Sequence, residues 1–337
     1  MTGPVRIGLL SAAHVHADAY VELLRGMPSA ELIGLADDDE AQGRAFARAH
    51  GVAYVGDRGA LLAERPDGVV VTSPNAHHRA DVEALAGAGI GVLCEKPLAT
   101  TVDDAVAIVR ACRAGGVLLM TAFPMRFSPP LLAAAGDLHE GSIGRVCAVS
   151  AVNQGELPSR HRAWFADPDL AGGGAVMDHT VHVIDLLRWM LDREVTEVWA
   201  ATNRILHADR AQVETGGLLL VHFGEVVVTI DCSWSRPDTY PTWGGLSLEM
   251  VGERGVLEVD AFRQRFTLHG AGESNARWVY WGSDANAGML EAFVESIRSG
   301  VQPPITGVDG LRAVEVVAAA YASAASGEPV RPALIAL

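Results

Sequence analysis

A doubly wound parallel α/β domain followed by an α+β domain with a large, mostly antiparallel open sheet is the fold class this sequence predicts. Three observations carry it. Over the first third of the chain, apolar runs without alternation recur between amphipathic stretches, as strands covered on both faces by helices require. After about Phe123 the apolar residues take period-two character instead, which marks half-buried strands. The 337 residues suffice for about two domains at ~150 residues each.

Taken in order, strands are predicted over residues 5–10, 31–36, 68–72, 91–95 and 117–122. Helices over 15–25, 40–50, 77–88 and 102–114 alternate with them. Such Val, Ile and Leu runs with intervening helices describe a Rossmann-type sheet. A helix over 130–138, a strand over 145–153, a polar loop and a helix over 175–190 follow. Strands are then expected over 197–204, 217–223, 226–233, 246–251, 256–259 and 265–268. The turn Phe223-Gly224-Glu225 joins two of them as an antiparallel pair. Helices over 286–299 and 310–325 close the chain, so the domains are expected at 1–123 and 124–337.

Composition removes several function classes. Lys and Arg total 26 against 41 Asp and Glu, a net charge of -15, which repels phosphate backbones and anionic lipid. Neither a nucleic-acid nor a membrane partner is expected. Although 49% of residues are hydrophobic, no apolar run approaches the ~18 residues of a membrane span. The amino end enters a strand pattern without a signal-peptide layout, and a cytoplasmic location is expected. Cys94, Cys112, Cys147 and Cys232 contain no Cys-x-x-Cys, which fits neither a disulfide framework nor a zinc ribbon.

The basic residues are 25 arginines and one lysine, Lys96. Coding bias explains the arginines but not the survivor. A lysine amine can exchange a proton where a guanidinium cannot.

The first strand runs into Ser11-Ala12-Ala13-His14-Val15-His16. A dinucleotide loop wants glycine at 11, 13 and about 16, for the tight turn and the close approach of pyrophosphate. Ser11 and Ala13 are the next smallest side chains, and a helix amino terminus follows. An ordinary strand-to-helix turn fits the segment equally well. Asp37, at the tip of the second strand, is placed for a ribose 2′-hydroxyl, while Asp38, Asp39 and Glu40 read as helix-capping acids. Four consecutive acids repel a 2′-phosphate, so NAD is favoured over NADP.

Lys96, in Glu95-Lys96-Pro97, falls at the carboxyl edge of a parallel sheet, where open α/β folds bind ligands. Ser73-Pro74-Asn75-Ala76-His77-His78 ends a second strand at that edge. Downstream, Gly172-Gly173-Gly174 opens a helix in which Asp178, His182 and Asp185 share one face. Val176, Val183, Leu187 and Met190 form the opposite, core-facing stripe. Either a ligand site or a solvated polar face satisfies that pattern. The loop over 153–165 offers Asn153 and Trp164 as amide and aromatic faces for a hydroxylated ring, or Trp164 as a simple anchor. Trp234 and Tyr240 are equally open.

Together these residues resemble the glucose–fructose oxidoreductase / inositol dehydrogenase (Gfo/Idh/MocA) family. The resemblance rests on Glu95-Lys96-Pro97, Ser73-Pro74-Asn75-x-x-His78, and Gly-Gly-Gly-x-x-x-Asp178-x-x-x-His182-x-x-Asp185. Arg126-Phe127-Ser128-Pro129 and Val308-Asp309-Gly310-Leu311-Arg312-Ala313 extend it over the whole chain. It implies a nicotinamide cofactor on the first domain, held among Ser11, Ala12, Ala13, His14, Val15, Asp37, Ser73, Pro74, Asn75, His78, Glu95, Lys96 and Arg126. It further implies a sugar or polyol against the second domain, and a homodimer or homotetramer formed through that domain's sheet. Lys96, Asp178 and His182 are the catalytic set so implied, and with Asn153 and Trp164 they are the substrate contacts. On this reading His182 is the base, Asp178 orients it or holds a hydroxyl, and Lys96 polarises the reacting oxygen. An NAD-dependent glycoside hydrolase and a non-catalytic ligand sensor are the alternatives within the fold. Ser11 and Ala13 depart from the glycine loop, His179 and Thr180 from the helix motif, and His14 and His16 add imidazoles. No ligand spacing is diagnostic among these histidines and Asp178, so no metal site is assigned.

Overall fold

The computed structural model describes residues 3–268, 277–280, 282 and 284–337. Its first sheet gathers β1 (Val5–Leu10), β2 (Ala30–Ala36), β3 (Tyr54–Gly56), β4 (Gly68–Val71), β5 (Gly91–Cys94) and β6 (Leu119–Thr121) in the order β3-β2-β1-β4-β5-β6. All pairs are parallel. The order reverses between β1 and β4, which opens a crevice at the carboxyl ends of those strands. Crossovers are made by α1 (Ala17–Gly26), α2 (Glu40–His50), α3 (Arg58–Ala63), α4 (His78–Gly87) and α5 (Val102–Gly115). β4 and β5 are buried along their whole length, the burial that an unbroken Val/Leu run demands.

β3 and α3 were not foreseen in the sequence. The strand has three residues and the helix six, too few for either periodicity to register.

The second sheet follows α6 (Pro129–His139), β7 (Val146–Gly155), the short α7 (Pro168–Ala171) and α8 (Ala175–Leu191). It unites β7 with β8 (Glu197–Asn203), β9 (Gly216–Phe223), β10 (Val226–Asp231), β11 (Gly244–Gly252) and β12 (Gly255–Asp260). The order is β12-β11-β7-β10-β9-β8. Only β7 and β10 pair in parallel; the other neighbours are antiparallel. β13 (Arg265–Leu268) and β14 (Arg277–Tyr280) form a separate antiparallel pair.

Alternation sorts the large sheet's faces. Val198, Leu219, Val221, Val228, Ile230, Leu248 and Met250 are buried under the helices, while Trp199, Leu218, Val227 and Val251 point outward and are exposed. The last helices, α9 (Ala285–Ser299) and α10 (Gly307–Ser326), return to the first sheet. α9 packs on α1 and β1, and α10 bridges α5 and α8. Residues of both sheets therefore share one core.

Candidate active site

β5 delivers Glu95 and Lys96 to the cleft from one side, and α8 delivers Asp178, His179 and His182 from the other. The start of α8 must run close to neighbouring backbone: a Cβ on Gly174 would lie 1.9 Å from the Glu214 carbonyl oxygen. Only glycine fits there. The orphan amides of that helix start, at Gly174 and Val176, donate to Glu214 Oε1 at 2.9 and 3.0 Å, and the Tyr321 hydroxyl donates to the same oxygen at 2.8 Å. Neither Glu214 nor Tyr321 carries any sequence signal for this cap.

Lys96 is 4% exposed. Its Nζ donates to Asp178 Oδ1 at 2.5 Å and to the Asp178 carbonyl at 3.3 Å. Asp178 Oδ2 accepts from the Trp234 indole at 3.2 Å and meets His179 Nε2 at 3.2 Å. His179 is in turn fixed by its Nδ1 on the Asn153 carbonyl at 2.8 Å, and the Asn153 amide donates back to the His179 carbonyl at 3.0 Å. Burial alone would push the Asp178 carboxyl up, but the Lys96 ammonium and His179 override it and hold it well below the usual range. His182 is pushed well below its ordinary value by burial and by the Lys96 charge, against the opposing pull of Asp178. It is a neutral imidazole at pH 7, and its buried Nδ1 has no partner among the described residues.

A cavity of about 600 Å³ joins these groups. Lys96, Asp178, His179 and His182 line it together with His14, His16, Phe165 and Trp243. Trp243 lines the cavity, is 54% exposed and meets His16 edge to face at 6.2 Å; the sequence drew attention to Trp234 and Tyr240 instead. Trp234 is fully buried.

Several expectations change. Asp178 does not orient His182, because both its oxygens are engaged by Lys96, His179 and Trp234. Arg126 does not face the cavity: its guanidinium is shared between Asp185, at 2.8 and 2.5 Å, and Asp309, at 3.1 Å. That buried cluster ties α8 to α10 and also accounts for Asp185 on the helix face. Trp164 is buried, stacks on Phe165 at 3.9 Å and donates its indole N–H to the Ala13 carbonyl at 2.9 Å. It is an anchor rather than a substrate surface. Ser73 donates to Asp81, Asn75 to the Ala171 carbonyl, and His78 bridges the Ser73 and Pro97 carbonyls. With Pro74 they build the edge turns that carry Lys96.

Residues 5–123 match the oxidoreductase family with an NAD-binding Rossmann fold, and residues 132–258 match the GFO/IDH/MocA C-terminal domain. The chain belongs to the GFO/IDH/MocA oxidoreductase family. Within it, the chain is 29% identical over 344 residues to D-apiose dehydrogenase of Paraburkholderia graminis, covering 96% of this chain and 87% of that protein. It is 30% identical to inositol 2-dehydrogenase 2 of Saccharopolyspora erythraea, covering 89% and 95%. The solved structure of GenD2 from gentamicin A biosynthesis, in complex with NAD, superposes with a TM-score of 0.88 at 26% identity, covering 98% of this chain and 97% of GenD2.

The family's dinucleotide is tested by the loop after β1. Ser11 adopts φ +73, the left-handed turn a glycine would make without strain. The Ala12 amide donates to Asp37 Oδ2 at 2.7 Å, the Ala13 amide to Ser11 Oγ at 3.2 Å, the His14 amide to the Thr72 carbonyl at 2.9 Å and the His16 amide to His14 Nδ1 at 3.1 Å. Asp37 also accepts from Ser11, Gln42 and the Asp39 amide. At the catalytic end, the buried His182 Nδ1 without a partner among the described residues and the cavity beside Lys96 leave room and an unmet polar atom for a nicotinamide. At the pyrophosphate end those four amides are engaged within the chain, so a bound dinucleotide would have to displace their present partners.

Proposed function

We propose that this chain interconverts a secondary hydroxyl and a carbonyl on a sugar or polyol held in the cleft between its two sheets. The observation that carries the reading is the Lys96–Asp178 pair, a buried ammonium pinned at 2.5 Å beside a neutral, unpartnered imidazole. Lys96 Nζ donates to the reacting oxygen and stabilises charge that develops there. His182, neutral near pH 7, takes the hydroxyl proton, or returns it in reverse. Asp178 and His179 position Lys96, and Trp243 offers a flat face to the ring of the substrate. A nicotinamide supplies the hydride acceptor in this family's chemistry, and the acids at Asp37–Glu40 favour NAD over NADP.

The dehydrogenase names of the relatives and the retention of Lys96, Asp178 and His182 together support catalysis over sensing and over glycoside hydrolysis. The exposed Trp199, Leu218, Val227 and Val251 on the open sheet face support a homodimer or homotetramer assembled there.

The test is a panel of aldoses, polyols and inositols with NAD, NADP or no added cofactor, with products read by mass spectrometry. Turnover of one panel member is expected, and Lys96→Met is expected to lower it by about 1,000-fold, the scale of losing a preorganised donor. Unchanged turnover in that variant overturns the site.

A further inference from the structure

We propose that His14, His16 and Glu95 bind a divalent first-row transition-metal ion in the wall of the cleft beside Lys96. The two imidazoles stand two residues apart on the loop after β1, and Glu95 comes from the end of β5. One donor atom from each lies within 4.8 Å of the others. His16 Nδ1 is 2.9 Å and His14 Nδ1 is 3.8 Å from the same oxygen, Glu95 Oε1. Small movements close these spacings around an ion whose bonds to nitrogen and oxygen run about 2.0–2.2 Å.

The donor set names the ligand's class. Two imidazoles and one carboxylate select zinc, iron(II), cobalt or nickel over magnesium or calcium, which take oxygen. The carboxylate is already oriented as a ligand's would be. The fully buried Tyr20 hydroxyl donates to Oε1 at 2.6 Å, and the Lys96 amide donates to Oε2 at 3.0 Å. Such outer contacts fix the geometry of ligating groups. His14 is 1% exposed; its Nδ1 accepts the His16 amide at 3.1 Å, while its Nε2 has no partner among the described residues, which leaves that buried nitrogen unmet and free to ligate.

Packing alone does not explain the cluster. His16 stands where a dinucleotide loop would carry a small residue, and the two imidazoles are held edge to face, 4.4 Å apart. Both histidines line the cavity, with Lys96 and Asp178. Three protein ligands would leave coordination positions for water or a substrate oxygen at the edge of that cavity. The ion site stands independently of the hydride chemistry proposed above.

The test uses the full chain, freed of metal with a chelator and titrated with Co2+ or Zn2+ alone, without nicotinamide or sugar. One ion per chain, visible cobalt(II) bands of a nitrogen–oxygen site and saturable calorimetric binding are expected. His16→Gln is expected to weaken binding by roughly 100-fold, on the scale of ligand-shell losses, while His77→Gln, on the surface outside the cluster, leaves it unchanged. If His16→Gln fails to fold, electron paramagnetic resonance of Cu2+ bound to the wild-type chain decides, with coupling to two imidazole nitrogens expected. No saturable binding by the wild type, or equal affinity in His16→Gln, overturns the proposal. A separate NADH titration reports on the hydride reading, so failure of one is told from failure of the other.

Discussion

At the residue scale, the cleft turns on one ion pair and one neutral ring. Lys96 is fixed by Asp178, Asp178 by His179 and Trp234, and His179 by Asn153, so the lone amine is presented with little freedom left to lose on binding substrate. His182 is different: burial and Lys96 both disfavour its imidazolium, so its pKa in the folded protein lies below 6.5. A base must be neutral to accept a proton. The acid limb of kcat/KM is therefore expected below pH 6.5, and His182→Gln is expected to remove that limb while lowering the rate by about 100-fold or more, within the range of general base catalysis. A wild-type limb centred above pH 6.5, or one retained in the variant, contradicts the assignment. Lys96, Asp178 and His182 were legible in the sequence because one lysine among 25 arginines and an i, i+4 polar spacing are local signals. Which group Asp178 holds was not legible. That depends on Asn153, in β7, and on Trp234, in the segment after β10, which the sequence does not place against α8.

At the element scale, hydrophobic periodicity placed each long strand and helix to within a few residues, since burial on one or two faces writes itself directly into the sequence. It failed at β3 and α3, which are shorter than one period of useful signal, and on Trp164, because an anchoring indole and a substrate-facing one look alike in sequence. The loop after β1 was legible as a departure from glycine, but not in its consequence. Ser11 Oγ takes the Ala13 amide, Asp37 takes the Ala12 amide, and His14 takes the His16 amide. A pyrophosphate must displace these bonds to use the helix start. Restoring glycine at all three positions, S11G/A13G/H16G, frees the Ala13 amide and relieves the positive φ at residue 11. The triple variant is expected to bind NADH about tenfold more tightly, about 1.4 kcal/mol, by fluorescence titration. An affinity that does not rise shows that the loop is not what limits the dinucleotide.

At the scale of the whole molecule, the second sheet has one face too many. Its inner face meets α8 and α10, but no element among the described residues packs on the outer row running through Val251, Ala148 and Val227 across β11, β7 and β10. Leu218 is 54% and Val251 41% exposed, and with Trp199 and Val227 they make an apolar surface of the kind that marks association. A twofold axis through such a face sets each residue against its own copy or a near neighbour. Introduced carboxylates would then confront one another across the interface, where like charges cost several kcal/mol. The double variant Leu218→Glu/Val227→Glu changes only outward positions, so its circular dichroism spectrum is expected to stay near that of the wild-type chain. Light scattering after size exclusion is expected to report a dimer or tetramer for the wild type and about 35.5 kDa for the variant. A wild type that runs as a monomer removes the argument from the open face. An oligomer that survives both carboxylates moves its interface to another surface of the molecule.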